Sequence, residues 1–403
     1  MSKADGSRPL YWSDQEIDLS FARRVGPAAV SLQSCIQCGS CTAACPTANR
    51  TAISPQRLGR LIRLGLKDEI FASGSFWQCT SCAACALYCP RGIPFLDIVI
   101  DLKRYARSLG FEPPEEVRLL CEAVRLHRNI SGEPNEERLR WSTNLPQPLA
   151  DLNCVRGVDV VYFVGCIAAF YPRAYGIAQC FGRLLSHSGL RFTTLAGNEW
   201  CCGYPLFNAG LDDEIGPLLE NNLTRLRELG ATTLVTTCPT CFYTWAVLYP
   251  RYAALPAGLR IMHSSQLLSE LVDAGKLCPG PLERVVTYHD PCDLGRKSGE
   301  FQAPRDLLCR VPGLELREMA NSRINSLCCG GGGDVKLLDL DTSLDVALRR
   351  VDQALDVGAD TVVSTCQQCK RAMVSAVQWM RKPLKVQDIV ELLWESVADE
   401  VEW

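Results

Sequence analysis

The chain has 403 residues, 47% of them hydrophobic and 22% charged, with a formal net charge of −3. Such a length exceeds one ordinary core and implies two or three domains, while the charge gives no general pull toward nucleic acid or anionic lipid. No apolar run approaches the ~18–20 residues of a membrane span. The N-terminal MSKADGSRPLYWSD also lacks the apolar centre of an export signal, so the expectation is a cytoplasmic protein without a direct membrane span. Its dominant feature is 23 cysteines against four histidines, His127, His187, His263 and His289. In a reducing compartment so many thiols are metal ligands rather than disulfides. Soft thiolates with little imidazole suit iron–sulfur clusters or zinc.

In chain order, residues 1–34 read as an irregular entry strip with helix around 14–25. CIQCGSCTAACP at 35–46 and CTSCAACALYCP at 79–90 are both C-x2-C-x2-C-x3-C-P. Between them, Ser54 and Pro55 open one helical run to residue 73, striped by Leu58, Leu61, Ile62, Leu64 and Leu66. Another helix is expected near 94–109. Residues 111–153 are charged and broken by Pro113, Pro114, Pro134, Pro146 and Pro148.

From 156 onward, short β-branched runs alternate with amphipathic helices, the pattern of a parallel sheet. Strands are expected at 158–164, 191–195 and 232–237, with helices at 173–188, 213–229 and from the C-x-x-C at Cys238 to 249. A second copy follows, with strands at 284–289, 314–318 and 361–364 and helices at 305–311, 343–357 and 368–380. Each copy has a lone cysteine (Cys166 or Cys292), a pair followed by glycine (Cys201-Cys202-Gly203 or Cys328-Cys329-Gly330) and a C-x-x-C (Cys238/Cys241 or Cys366/Cys369). Corresponding cysteines are offset by 126 to 128 residues, which marks a duplication of two five-cysteine modules.

In the first motif pair, three cysteines wrap one cubane and the fourth, before proline, crosses to the other. Cys35, Cys38, Cys41 and Cys89 should hold one [4Fe–4S] cluster, and Cys79, Cys82, Cys85 and Cys45 the other. Zinc offers no reason for the C-P ending or the crossover. In the modules, the lone cysteine and the C-x-x-C stand at carboxyl ends of strands, the ligand edge of open α/β sheets. The C-x-x-C also meets a helix N-terminus, which favours thiolate. Gly203 and Gly330 would let the backbone approach a bulky core closely. Five thiolates exceed the four that zinc or a simple cubane needs, so either one is spare or the cluster is unusual. A phosphate loop at the four glycines 330–333 lacks the Lys-Ser/Thr it would need.

Residues 35–109 resemble the small ferredoxin-like subunit of heterodisulfide reductase, through CIQCGSCTAACP, SPQRLGRLIRLGLKDEI and FWQCTSCAACALYCPRGI. Residues 156–403 resemble its catalytic subunit, through YFVGC, WCCGYP, TTCPTCFYTW, YHDPCDLGR, CCGGGG and STCQQC. The fused order resembles the D-type catalytic subunits of that family, and iron–sulfur subunits of glycolate oxidase and anaerobic glycerol-3-phosphate dehydrogenase are related. The resemblance implies an α + α/β fold: an all-helical ferredoxin-like domain (1–130), a linker (131–155) and two tandem Rossmann-like cysteine-rich (CCG) domains (156–280 and 281–403). It also implies four [4Fe–4S] clusters, two cubane and two non-cubane. The non-cubane ligands would be Cys166, Cys201, Cys202, Cys238 and Cys241, and Cys292, Cys328, Cys329, Cys366 and Cys369. The two clusters would flank a disulfide and each take one of its sulfurs. One departure is Asp293, where such families often carry a second histidine.

The resulting expectation is an oxidoreductase subunit that passes electrons from a flavoprotein or membrane cytochrome b to a small-molecule disulfide or thiol. It would sit on the inner membrane face through a partner. The alternative is a non-catalytic electron-transfer subunit linking a flavin dehydrogenase to quinone, and a third reading is a zinc-stabilised interaction module. His289 is a candidate proton donor to a leaving thiolate, set against a structural role in its loop. Cys121, Cys154, Cys180, Cys278 and Cys309 lie outside the motifs and read as buried, inert thiols. Arg57, Arg60, Arg63 and Lys67 read as a solvated basic face.

Overall fold

A computed structural model of the chain describes residues 17–230 and 232–397; residues 14–16 of the first expected helix lie outside them. Two compact units emerge, Met1–Trp77 with Ala84–Glu112, and Gln78–Ala83 with Pro113–Trp403. In the first, the described residues form short helices and no strand. The helix Phe95–Ser108 buries Ile98 and Leu102 completely, and Phe21 and Ile62 are equally inaccessible. The run expected as one helix over 54–73 is two, Pro55–Leu64 and Lys67–Ser73. Gly65 separates them with a left-handed φ of 75°, where a Cβ would lie 2.4 Å from the Asp18 carbonyl. Periodicity alone does not register that break, because the apolar stripe continues across it.

The second unit holds two four-stranded parallel sheets. One contains β1 (Val160–Tyr162), β2 (Phe192–Thr194), β3 (Thr233–Thr236) and β4 (Arg260–His263) in the order β2-β1-β3-β4. The other contains β5 (Arg284–His289), β6 (Leu314–Leu316), β7 (Thr361–Ser364) and β8 (Lys385–Asp388) in the order β6-β5-β7-β8. In each, the strand order reverses direction between the first and third strands, so a crevice opens at their carboxyl ends. The fourth strands, with the helices Ser264–Asp273 and Ile389–Val397 after them, were not anticipated from the sequence.

The two halves share one apolar core, in which Tyr162, Phe181, Val235 and Leu268 join Val286, Tyr288, Leu308, Val363 and Ile389. Their helices pack reciprocally. Tyr175–His187 of the first half meets Ile389–Val397 of the second, and Ser264–Asp273 of the first meets Ala303–Cys309 of the second. The corresponding polar pairs also repeat, Tyr162 Oη with Thr237 Oγ1 at 3.0 Å and Tyr288 Oη with Thr365 Oγ1 at 2.9 Å. A near-twofold relation of the halves follows from that correspondence. Residues 131–155 contain a 3-10 helix, Asn135–Ser142, whose Arg138 and Trp141 are buried in this unit.

Candidate metal centres

In the first unit, Cys35, Cys38, Cys41 and Cys89 line one pocket with Gly39 and Pro90. Arg63 of the expected basic face donates to the Cys35 carbonyl at 3.1 Å, and Arg57 pairs with Glu69 at 3.5 Å. Of the other ferredoxin-motif cysteines, Cys45 and Cys85 belong to the first unit, and Cys79 and Cys82 to the second.

The first half of the second unit gathers its five cysteines at the carboxyl edge of its sheet. Cys166 follows β1, the pair Cys201-Cys202 follows β2, and Cys238 follows β3. Their thiols form a chain. Cys166, Cys201, Cys202, Cys241 and Cys238 are hydrogen-bonded in that order, each to the next. Those bonds bring Cys166 down to about 7 and hold Cys202 well below the usual thiol value. They hold Cys201 and Cys241, with burial added, well above it.

Arg138 caps this chain. Its Nη2 donates to Cys166 Sγ at 3.4 Å, and its Nη1 pairs with Glu199 at 2.7 Å. Glu199 in turn accepts from the Val164 and Gly165 amides at 2.9 and 2.8 Å. Burial works against the guanidinium's charge, but Cys166 and Glu199 hold it above its ordinary value. The Arg128 carbonyl accepts from Cys201 N at 2.7 Å, so the segment after the helix Glu115–His127 wraps the same sulfurs. Sequence reasoning missed Arg138, since nothing separates one arginine from the rest of a charged segment.

The second half repeats the array with one substitution. Cys329 and Cys369 share a hydrogen bond at 3.2 Å, Cys328 bonds Cys329 from its other side, and Cys329 lies well below the usual thiol value. Cys369 also bonds to Cys366. The thiol that meets Cys328 from the other side is Cys82, from the ferredoxin motif. Cys292 stands beside both, near enough for charge interaction, and burial and then Asp293 push it well above the usual value. His289 lies with Cys329 and Cys369, the three ligand atoms within 4.8 Å of one another. Arg350 Nε donates to its Nδ1 at 2.9 Å. Burial, and then the Arg350 guanidinium, bring the imidazole down to about 3. Both influences disfavour the imidazolium form.

The glycines act differently from expectation. A Cβ on Gly330 would lie 2.4 Å from the Ser343 carbonyl, and one on Gly203 would meet Ile215 at 3.3 Å. Both positions, at φ of 75° and 86°, fit the chain against the next helix rather than against sulfur. The glycine that faces sulfur is Gly165, where a Cβ would lie 3.2 Å from Cys241 Sγ. Gly332 and Gly333 receive the ferredoxin motif, their virtual Cβ atoms lying 2.7 Å from the Thr80 carbonyl and 2.0 Å from the Cys79 carbonyl.

Asp293 links the two arrays. It accepts from Thr240 Oγ1, inside the first C-x-x-C, and pairs with the buried Lys297. Lys297 reaches Tyr204 Oη at 3.1 Å and lies over the Tyr243 ring at 4.9 Å. Of the thiols outside the motifs, Cys121 and Cys180 are buried, Cys154 is half-buried, and Cys278 and Cys309 are exposed, which corrects the expectation for the last three.

The donor set fits an iron–sulfur core. Adjacent buried thiols in these chains cannot all ionise together, since each thiolate is held by a neighbour that keeps its proton. A cationic core would let every member ionise.

Comparison with known proteins agrees. The cysteine-rich domain family matches residues 160–245 and 286–374, and the 4Fe-4S dicluster domain family matches 31–93. The chain is 30% identical over 397 residues to the D-type subunit of the dihydromethanophenazine:CoB–CoM heterodisulfide reductase of Methanosarcina barkeri, covering 92% of this chain and 95% of that one. It is 28% identical to "Probable iron-sulfur-binding oxidoreductase FadF" of Bacillus subtilis over 82% of this chain and 48% of that one. It is 26% identical to "EtfAB:quinone oxidoreductase" of Syntrophomonas wolfei, with 82% and 47% covered. This chain therefore spans about half of each of the last two.

Proposed function

We propose a function for a chain that belongs to the family of D-type heterodisulfide reductase subunits, and so is an iron–sulfur electron-transfer subunit of an oxidoreductase. In this proposal, electrons pass through two cubane clusters to two non-cubane [4Fe–4S] clusters, where a small-molecule disulfide is reduced or a dithiol oxidised. The carrying observation is the pair of thiol chains, one per sheet edge, with Cys82 of the ferredoxin motif in hydrogen-bond contact with Cys328. Clusters, when bound, supply one-electron redox centres. The ligands of the cubanes would be Cys35, Cys38, Cys41 and Cys89, and Cys79, Cys82, Cys85 and Cys45. The two five-cysteine sets would hold the others.

The chain's own residues then have separable tasks. Arg138 holds positive charge on Cys166, and His289 sets its imidazole beside Cys329 and Cys369. Asp293, Thr240 and Lys297 fix the second array against the first. Reduction breaks one S–S bond with two electrons, and two protons complete the two thiols. A flavoprotein or a membrane cytochrome b would supply the electrons. Among the described residues no helix is long and apolar enough to cross a membrane, so attachment to the cytoplasmic membrane face would run through such a partner. The domain division proposed is 1–130, a connecting 131–155, 156–280 and 281–403.

A second reading is favoured by the name of the Syntrophomonas relative. There the chain relays electrons between a flavoprotein dehydrogenase and quinone without disulfide chemistry.

Iron analysis with Mössbauer and EPR spectroscopy of the anaerobically purified chain tests the proposal. Four clusters require ~16 irons, and Cys201→Ala should erase one unusual EPR signal while the cubane signals persist. Zinc, or ~8 irons in ordinary cubanes only, would refute it. Unusual signals that never respond to any disulfide, in a complex that reduces quinone, would favour the relay.

A further inference from the structure

A cavity of about 460 Å³ in the second unit is lined by four cations, Arg173, Lys336, Lys370 and Arg371, with Ser375 and Gln378 beside them. It opens where the helix Gln367–Met380, which carries Cys369, packs against Cys166–Phe170 and Pro172–Ala174 of the other half. Glu391 holds Lys370 through both carboxylate oxygens at 2.6 Å. Among the described residues, Arg173, Lys336 and Arg371 have no carboxylate within ion-pair distance. Arg371 lies over the Tyr171 ring at 4.6 Å and shares a hydrogen bond with Gln368 at 3.2 Å.

An ordinary basic face spreads its cations into water. Here they converge on one half-open cleft. Three facing cations without counter-charge call for an anion in the space between them, and guanidinium groups are suited to phosphate and carboxylate oxygens. The position is also informative. Five of its lining residues belong to the helix that carries Cys369, and that helix packs on the helix that begins at Cys166, so the cavity is built on elements that carry both thiol chains.

We propose that this cavity binds a multiply charged anionic group, phosphate- or carboxylate-bearing, of the small-molecule thiol or disulfide that reacts at the two cysteine sets. The substrate part of that assignment rests on the function proposed above; the anion site itself rests on the cavity and its cations. Arg371 and Lys336 act as binding residues in it, and Arg173 closes it from the other half.

Calorimetric titration of the anaerobic, iron-loaded chain with inorganic pyrophosphate tests the site, with iron content and EPR spectra recorded on the same samples. One pyrophosphate should bind per chain. Lys336→Gln, at a half-exposed position, should weaken it by about ten-fold, the loss of one charge-assisted hydrogen bond, and Lys336→Gln with Arg371→Gln should weaken it further at unchanged iron content. Absence of binding by a fully iron-loaded chain would overturn the site, as would equal binding by both variants. Tighter binding of poly-glutamate than of pyrophosphate, lost in the same variants, would also overturn it in favour of an acidic protein partner. Pyrophosphate binding in a chain without the unusual EPR signals would support the anion site and refute the disulfide function separately.

Discussion

Replacing Arg138 by methionine isolates an arginine that the fold places in the interior as a buried charge. Its side chain is 2% accessible and that of its partner Glu199 1%. The substitution keeps apolar bulk but leaves the buried Glu199 carboxylate without its cation, held by the Val164 and Gly165 amides. Breaking one side of a buried ion pair costs about 3–5 kcal/mol. The unit concerned has about 300 residues; at about 2.1 cal/mol/K of unfolding entropy per residue, that cost lowers Tm by roughly 5–8 °C. Arg138→Met with Glu199→Gln removes both charges and should recover part of the loss, because no buried carboxylate is then left without its cation; the Gln carbonyl accepts from one of the two backbone amides, which donate to different oxygens of Glu199. The assay is differential scanning calorimetry of the metal-loaded proteins at one scan rate, with anaerobic handling. A single variant within about 2 °C of the parent, or a double variant no more stable than the single, would refute the argument that Arg138 compensates a buried carboxylate.

Gly333→Ala should displace the Cys79–Thr80 backbone, since its Cβ would fall 2.0 Å from the Cys79 carbonyl at a φ of +58°; loss of ~4 irons is expected, and full iron content would contradict it. Thr240→Val removes one hydrogen bond to Asp293 and should cost about 1 kcal/mol, whereas Asp293→Asn strands the buried Lys297 and should cost about 3–5 kcal/mol; denaturant titration that ranks them in reverse order would show that the link does not depend on charge. The two sheets end β4 and β8 on groups of opposite titration. Burial lowers His263 from 6.5 to about 3, and burial with the nearby Glu391 raises Asp388 from 3.8 to about 8. For His263 the unfolded chain binds the proton first, so stability falls as pH drops from about 6.5 toward 3; for Asp388 the folded chain binds it first, so stability falls as pH rises from about 4 to 8. Each slope is at most about 1.4 kcal/mol per pH unit. Asp388→Asn should flatten the alkaline side of a Tm–pH profile, and an unchanged profile would locate that dependence elsewhere.

Much of this protein can be read without coordinates because its chemistry is local. Cysteine spacing within C-x2-C-x2-C-x3-C-P and C-x-x-C is set by the geometry of a few consecutive residues, and the 126-to-128-residue offset of the cysteines exposes the duplication. Strands β1, β3, β5 and β7 are visible because each leads into a marked cysteine. β4 and β8 carry no such mark, and their Arg260–His263 and Lys385–Asp388 stretches begin on a charge that hides them.

What the sequence alone determined, then, is the cysteine inventory and its spacing, the parallel-sheet halves and the family, since all three reside in residue identity at short range. The tertiary structure decided which groups surround the sulfurs. Arg138 reaches Cys166 across 28 positions, Arg350 reaches His289 across 61, and Asp293 meets Thr240 across 53. It also brought Cys82 against Cys328 and assembled an anionic-ligand cavity from Arg173, Lys336 and Arg371. Burial and long-range charge set those partners, and neither is a property of any stretch of chain short enough to read as a motif.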